Sequence, residues 1–139
     1  MKHVLVPFDD SAQAHNALEH ALTEHSDADI TALHVLDPAE WGHDSATSGL
    51  GKRWHDEAKE ESEAVEAAAH ELADEHDSSI TTAAEDGVPS DVVLEYADEN
   101  GVDHIVVGSH GRSGAKRLLL GSVAEAIARN ASIPVTIIG

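Results

Sequence analysis

Residues 108–122 read Gly108-Ser-His-Gly111-Arg-Ser-Gly114-Ala-Lys-Arg-Leu-Leu-Leu-Gly121-Ser122, and they connect a short apolar run at 105–107 to a helix-like segment at 123–130. Glycines let backbone N–H groups approach an anion closely, and the first turn of a helix offers unpaired N–H groups at the positive end of its dipole. The stretch also carries Arg112, Lys116 and Arg117, although the chain as a whole is strongly acidic. This arrangement predicts a site for the phosphate groups of a nucleotide.

The glycine spacing distinguishes this stretch from two common phosphate loops. A Walker A loop requires Gly-Lys followed by Ser or Thr, and a dinucleotide-binding fingerprint requires G-x-G-x-x-G after the first strand. Neither pattern occurs in the sequence, where the spacing is Gly108-x2-Gly111-x9-Gly121 followed by Ser122. The alternative to a phosphate site is a glycine-rich surface turn that binds nothing.

The length and composition of the chain set the class of protein. Residues 1–139 are expected to form a single domain that is large enough to bury its own core. There is no cysteine, which excludes disulfides, thiol chemistry and cysteine zinc sites. No apolar run approaches the ~20 residues of a membrane span, and the N-terminus lacks a signal-peptide pattern. These features predict a soluble, cytoplasmic protein that does not bind membranes.

The charge of the chain is extreme, with 27 acidic residues against 8 Lys and Arg and a formal net charge of −19. Such a surface repels nucleic acids and anionic membranes, and its self-repulsion favours unfolding unless salt screens it. The composition resembles that of proteins from halophiles that accumulate salt, and an ordinary acidic protein is the alternative. Residues 111–139 depart from this pattern with four basic residues and one acid, which favours an anionic ligand at the glycine-rich stretch.

Hydrophobic periodicity predicts five strands that alternate with four helices. The predicted strands are 2–7, 29–36, 79–85, 104–107 and 134–138. The predicted helices follow a cap at Asp10 or Ser11, span 52–76, follow a cap at Ser90, and span 123–130. The second helix has an apolar stripe of Trp54, Ala58, Val65, Ala69, Leu72 and His76, and a mobile loop is expected at 37–51. The first and fourth strands are apolar on both faces, which predicts an α/β three-layer sandwich with a parallel sheet between helices.

In a parallel α/β sheet, ligands bind outside the carboxyl ends of the strands, where the strand order reverses. Pro7-Phe8-Asp9 follows the first strand and Gly108 follows the fourth, so both segments are expected at that edge. Ser122, at a helix start, can present its hydroxyl and backbone N–H to a phosphate. Asp9, at a strand end, suits hydrogen bonds to ribose hydroxyls, with helix capping as its alternative role.

Nearly the whole chain resembles the universal stress protein family. The glycine spacing over 108–122 resembles the ATP-binding signature of that family, and the segments 4–11 and 32–35 resemble its first and second strands. The resemblance implies an adenine-nucleotide-binding α/β fold with a five-stranded parallel sheet in the order 3-2-1-4-5. It also implies a homodimer. Because this order places the last strand at an edge of the sheet, the apolar segment 134–138 is the expected contact between the two copies.

The resemblance also implies which residues bind the nucleotide. Asp9, flanked by Pro7 and Phe8, is expected at the nucleoside, and the backbone near Val35 is expected at adenine. The residues expected at the phosphates and ribose are Val107, Gly108, His110, Gly111, Arg112, Gly121, Ser122 and Val123. His110 either contacts phosphate or faces solvent. The expected cofactor is ATP, and any Mg²⁺ is expected to be held by its phosphates.

Eleven histidines raise the question of a metal site. The sequence contains no H-E-x-x-H motif, and His15, His20 and His25 are five residues apart, which rotates them away from a common helix face. The pattern therefore favours scattered, solvated histidines over a metal site.

Three functions fit these features. The first is an ATP-binding regulatory or stress-response module with little or no turnover, because no water-activating base stands beside the glycine-rich stretch. The second is a slow ATP hydrolase on the same scaffold. The third is a phospho-acceptor receiver domain, which needs an acceptor Asp after its third strand, a Lys after its fifth, and a fifth helix. Glu85-Asp86 fits the first of these requirements only weakly, and the chain stops at Gly139.

Overall fold

The structure is a computed structural model of the chain, and it describes residues 2–37, 50–109 and 121–139. Strands and helices alternate in the order β1 (His3–Pro7), α1 (Ala12–Glu24), β2 (Asp29–Leu36), α2 (Leu50–Glu75), β3 (Thr81–Asp86), α3 (Pro89–Glu99), β4 (His104–Gly108), α4 (Ser122–Asn130) and β5 (Val135–Ile138). The strands form one parallel sheet in the order β3-β2-β1-β4-β5. The predicted α/β class and strand order are therefore confirmed.

The strand order reverses at the centre of the sheet, between β1 and β4. β1 pairs with β2 along its full length, starting where His3 lies opposite Asp29, and it pairs on its other side with β4, where Leu5 lies opposite Ile105. The connection after β1 leads to one side of the sheet and the connection after β4 leads to the other, which leaves a crevice at their carboxyl ends. Receiver domains have the order 2-1-3-4-5, so the observed order excludes that alternative.

Side chains of the sheet alternate between two cores. Val4, Val6 and Phe8 pack on the face covered by α1 and α2, whereas Leu5 packs on the face covered by α3 and α4. Each of these four residues is at most 3% exposed, and burial of a side chain of this size contributes ~1.5–3 kcal/mol relative to exposure. Helices therefore cover both faces of the sheet, which explains the uninterrupted apolar runs in β1 and β4.

The starts of α2 and α3 each differ by two residues from their predicted positions. α2 begins at Leu50, two residues earlier than predicted. α3 begins at Pro89 with Val88 as its N-cap, so the prediction that Ser90 caps this helix is wrong. Proline suits the first turn because its φ is fixed near the helical value and the N–H that it lacks would be unpaired there. The preference of proline for the first turn has decided this boundary over the preference of serine for the cap.

The outer strand β3 and the helix α2 keep their predicted character. β3 begins at Thr81, two residues later than predicted, and is mostly exposed as expected. In the predicted stripe of α2, Val65, Ala69 and Leu72 are buried, while His76 lies just beyond the helix and donates to the carbonyl of Leu72 (3.0 Å). The side chains of Trp54 and Ala58, and residues 38–49 of the predicted loop, lie outside the described residues. Among the helices described, none combines the length and apolarity that crossing a bilayer requires.

Candidate functional site

The candidate site lies at the carboxyl ends of β1 and β4, which are neighbours at the centre of the sheet. Pro7 is the last residue of β1, and Gly108 is the last residue of β4. On the adjacent strand β2, Val35 is one residue from the end, and α4 begins with Ser122 one residue before its predicted start. The described residues of the predicted site therefore gather at one edge of the sheet. Three others, His110, Gly111 and Arg112, lie outside the described residues.

The turn between β1 and α1 is fixed by hydrogen bonds on both sides. The N–H of Phe8 donates to the carbonyl of Leu33 on β2 (2.9 Å). The Asp9 carboxylate accepts from the N–H of Ser11 (3.1 Å), and the Ser11 hydroxyl accepts from the N–H of Ala14 (3.1 Å). Ser11 is therefore the N-cap of α1, and Asp9 orders the turn that precedes the helix.

The two described ends of the glycine-rich stretch are hydrogen-bonded to each other. Ser109 donates its N–H to the carbonyl of Ile138 on β5, and its own carbonyl accepts from the N–H of Gly121, both at 2.7 Å. Gly108 lies so close to α1 that a Cβ atom there would be 2.8 Å from the carbonyl carbon and oxygen of Gln13. This packing requires glycine at position 108, and it brings the end of β4 against the start of α1.

Helix α4 begins at this edge without a side-chain cap. Its N-cap is Gly121, whose carbonyl accepts the first helical hydrogen bond from the N–H of Glu125 (2.9 Å). The first N–H groups of a helix have no acceptor within the helix, and they lie at the positive end of its dipole. Ser122, the first helical residue, is exposed. The helix start can therefore bind an anion through backbone N–H groups, with the Ser122 hydroxyl as a further donor.

The three valines of the predicted site use their side chains mainly in the core. Val107 is 5% exposed, and Val35 and Val123 are half-buried and pack against the same core cluster as Leu5. A ligand at this edge would therefore meet their peptide groups. The expectation that the backbone near Val35 meets adenine stays a prediction.

Two features of this edge were missed by the sequence analysis. The N–H of Gly87 donates to the carbonyl of Leu36 (3.0 Å), which brings the turn after β3 to the end of β2 and leaves Val88 58% exposed beside it. In the turn after β1, the Asp10 carboxylate contacts the His15 imidazole. The sequence signals for them were the Asp86-Gly-Val-Pro89 segment and the five-residue separation of Asp10 from His15, and neither is specific.

An open groove of about 960 Å³ lies at the opposite edge of the sheet, near the amino ends of β1, β2 and β3. Asp27, Asp29 and Asp77 line this groove together with several hydroxyl groups. Because carboxylates repel phosphate groups, a groove lined by three of them is poorly suited to a nucleotide. The anion-binding features of the described residues are at the carboxyl edge instead.

Several histidines pack against other side chains, so the prediction that the histidines are scattered and solvated is wrong for them. His34 on β2 is 3% exposed, and its Nδ1 lies 3.2 Å from the hydroxyl of Ser62 on α2. The ring of His25 lies 6.2 Å from that of His20 and 5.0 Å from that of His104. His25 reaches both because it is the C-cap of α1, where helical angles no longer apply. Within the ranges that the structure describes, no cluster of three or more His, Asp or Glu side chains could hold a metal ion.

Acidification should destabilise the fold through the packed histidines His25 and His104. Burial lowers the pKa of His104 below its ordinary value of 6.5, and nearby His25 and Lys2 lower it further. Burial and Lys2 also lower the pKa of His25. Because the unfolded chain then binds protons more readily than the folded chain, this contribution to the unfolding free energy should be full above pH 6.5 and lost as the pH falls below it.

Denaturant unfolding between about pH 8 and pH 5 measures this effect, because that range spans the titration of histidine. The free energy of unfolding of His104→Gln should fall less steeply on acidification than that of the wild type. Parallel curves for the two proteins would contradict the prediction.

Comparison with known proteins gives one family. A sequence profile of the universal stress protein family matches residues 1–139. The universal stress protein MJ0531 of Methanocaldococcus jannaschii is 32% identical over 146 residues, which cover 99% of this chain and 81% of the relative. Universal stress protein UspA from Lactobacillus plantarum has a similar structure, with a TM-score of 0.85 at 23% identity over 99% of this chain and 97% of that one. A universal stress protein solved in complex with cAMP gives a TM-score of 0.70 at 26% identity, with 99% and 96% covered.

Proposed function

Because the chain belongs to the universal stress protein family, we propose that it binds an adenine nucleotide, with ATP as the expected ligand, where β1, β4 and the start of α4 meet. The observation that carries this proposal is the hydrogen bond between Ser109 and Gly121. It brings the first and last parts of the glycine-rich stretch together at the uncapped start of α4. The complex of a related family member with cAMP supports an adenine nucleotide as the ligand class.

Each part of the proposed site has its own role. The phosphates lie beside Gly108 and Gly121 and bind the unpaired backbone N–H groups at the start of α4 and the hydroxyl of Ser122. His110, Gly111 and Arg112 belong to the same phosphate-binding group. Asp9 accepts from the ribose hydroxyls. Pro7 and Phe8 flank it at the end of β1 and lie near the nucleoside through their backbone, because the Phe8 side chain is in the core. Adenine meets the peptide groups of Val35, while Val107 and Val123 contribute backbone near the phosphates. Any Mg²⁺ is held by the ATP phosphates.

The role of this site is regulatory, with the nucleotide bound rather than consumed. Hydrolysis needs a group that orients or deprotonates the attacking water beside the terminal phosphate. The carboxylate proposed at the ligand, that of Asp9, accepts from the N–H of Ser11 and orders a turn, which suits it to hold the ribose. We therefore assign the protein to ATP-dependent regulation in a stress response.

The direct test is calorimetry with ATP, ADP and GTP at molar KCl, together with mass spectrometry of any nucleotide that the purified protein retains. We expect heat and a thermal shift with the adenine nucleotides, and a weaker response to GTP. The absence of both signals with every adenine nucleotide would contradict the proposal. Release of phosphate from ATP by the purified protein would support the slow hydrolase instead of a binding module.

We also propose that two copies of the chain pair through β5. This strand is at an edge of the sheet, as predicted, and each of its four residues is half-buried in the single chain. An apolar edge strand with unpaired N–H and C=O groups favours pairing with a second chain. Two such edges that meet about a twofold axis form a closed dimer.

Ile137→Lys should shift the protein from dimer to monomer, because it places a charge on the paired edge. Val88→Lys controls for the added charge, since it changes an exposed aliphatic residue that is distant from β5 in the sheet order. Because Ile137 packs against a core cluster, denaturant unfolding of Ile137→Lys must show that the variant is still folded. Light scattering in high salt measures the mass. A wild-type mass of 14.7 kDa at micromolar protein would contradict the dimer.

A further inference from the structure

The turn between β1 and α1 contains a backbone conformation that residues other than glycine rarely adopt. Asp10 has a φ of 64°, in the left-handed region where glycine has no steric penalty and where Asp and Asn are the best tolerated of the other residues. Asp10 lies between Asp9, which we place at the ribose, and Ser11, the N-cap of α1. The direction of the Asp9 side chain relative to the helix therefore depends on the conformation of Asp10.

A contact across the first turn of α1 holds Asp10 in place. Nε2–H of His15 donates to Oδ1 of Asp10 at 2.5 Å. The His15 ring lies against the Phe8 ring, with the centroids 5.1 Å apart and an angle of 49° between the planes. Phe8 is 3% exposed and belongs to the core between the sheet and α1. These contacts link the left-handed residue to a buried side chain.

Overall stability does not explain the Asp10–His15 pair. The side chains of His15 and Asp10 are 37% and 46% exposed, and ion pairs between exposed side chains contribute little to folding. Glycine at position 10 would accept the same backbone conformation without a steric penalty. An aspartate that is held by a histidine supplies what glycine does not, which is a turn restricted to one orientation.

We propose that Asp10 and His15 are positioning residues, and that their contact holds the β1–α1 turn so that the Asp9 carboxylate faces the ribose of the bound nucleotide. This inference rests on the proposed function, because it assigns a role at the same site. The pair acts on the nucleoside half of the ligand. The phosphates, which bind at the start of α4, do not depend on it.

The test compares ATP with inorganic tripolyphosphate, which carries the phosphates without the nucleoside. His15→Ala and Asp10→Ala should each weaken ATP binding about tenfold, as expected when one charge-assisted hydrogen bond to a ligand is misdirected. The affinity of both variants for tripolyphosphate should stay within about twofold of the wild-type affinity. A change of that size is smaller than the change expected when one hydrogen bond is lost. Calorimetry at molar KCl measures both affinities. The inference is overturned if the variants lose equal affinity for ATP and tripolyphosphate, or if they lose affinity for neither.

Two further substitutions separate the contact from the backbone conformation. Asparagine tolerates the left-handed region and keeps an oxygen that accepts from His15, so Asp10→Asn should retain ATP affinity within about twofold. Glycine keeps the conformation but removes the contact, so Asp10→Gly should bind ATP as weakly as Asp10→Ala. Wild-type affinity in Asp10→Gly would show that the backbone conformation suffices, and it would overturn the role of the pair. Unfolding midpoints measured in parallel detect any general loss of stability.

The same measurements distinguish this inference from the proposed function. If the wild-type protein binds neither ATP nor tripolyphosphate, the nucleotide site itself is wrong and both proposals fail. If the wild-type protein binds ATP and the His15→Ala and Asp10→Ala variants bind it equally tightly, only the positioning role fails.

Discussion

Replacing Gly108 with alanine should remove most of the nucleotide affinity and destabilise the fold. A Cβ atom at this position would lie 2.8 Å from the carbonyl carbon and oxygen of Gln13 and 2.9 Å from its Cβ. Backbone atoms cannot rotate away as the end of a long side chain can, so β4 and α1 must separate, and overpacking of this kind costs ~1–3 kcal/mol. ATP affinity should fall at least about tenfold, because this movement separates the Asp9 turn from the glycine-rich stretch.

Gly101→Ala is the matched control for Gly108→Ala. Gly101 has a φ of 63° and no heavy atom within 4 Å of a Cβ built there, so alanine should cost ~1 kcal/mol through its backbone conformation alone. Gly101 also lines the groove at the opposite edge of the sheet, so ATP affinity should be unchanged. Calorimetry and denaturant unfolding compare the two variants. Wild-type affinity in Gly108→Ala would show that the nucleotide does not bind at this edge.

Raising the KCl concentration from about 10 mM to 1 M should raise the midpoint temperature of unfolding by about 10 °C or more. For a domain of this size, that shift corresponds to an increase of a few kcal/mol in the free energy of unfolding. The chain carries a formal net charge of −19, and the Debye length falls from ~30 Å to ~3 Å over this range. Repulsion between carboxylates is therefore screened in the folded state, where they are closest. Salt also screens the attraction within surface ion pairs, but this loss is small. Exposed pairs such as Arg129–Glu125, with its atoms 3.7 Å apart, contribute little to stability.

Thermal unfolding followed by circular dichroism measures this salt effect. Sucrose at matched osmolality is the control, because it stabilises folded proteins by exclusion from their surface without screening charge. A midpoint that stays flat or falls with KCl would exclude the halophilic interpretation of the composition.

The sequence predicted the class and layering of the fold because the strands are strongly patterned. Val4 to Val6 and Ile105 to Val107 are apolar on consecutive positions, which requires two covered faces. The strand order was not available from periodicity and came from the family resemblance. Boundaries failed where two local preferences compete, as at the start of α3, where Pro89 in the first turn overrode Ser90 as a cap.

The candidate site was predicted in part. Glycine spacing located the stretch that ends at Gly121, but it did not predict the bond from Gly121 to Ser109 or the close approach of Gly108 to α1. Such contacts join segments whose separation in sequence carries no periodic signal. The contact of His25 with His104 is of the same kind, since it brings together the end of α1 and the start of β4.

The pairing of β1 with β4 has a consequence for how the protein is synthesised and folded. The N–H of His3 donates to the carboxylate of Asp103 at 2.9 Å, across 100 residues of sequence. To form a contact between residues so far apart in sequence, the chain must first lose the conformational entropy of the intervening loop. Contacts of this kind therefore slow folding. β1, β2 and β3 can associate while the ribosome is still adding residues, whereas the crevice needs β4 and α4. The edge of the sheet that carries the candidate site therefore forms only after β4 and α4 have joined β1, β2 and β3.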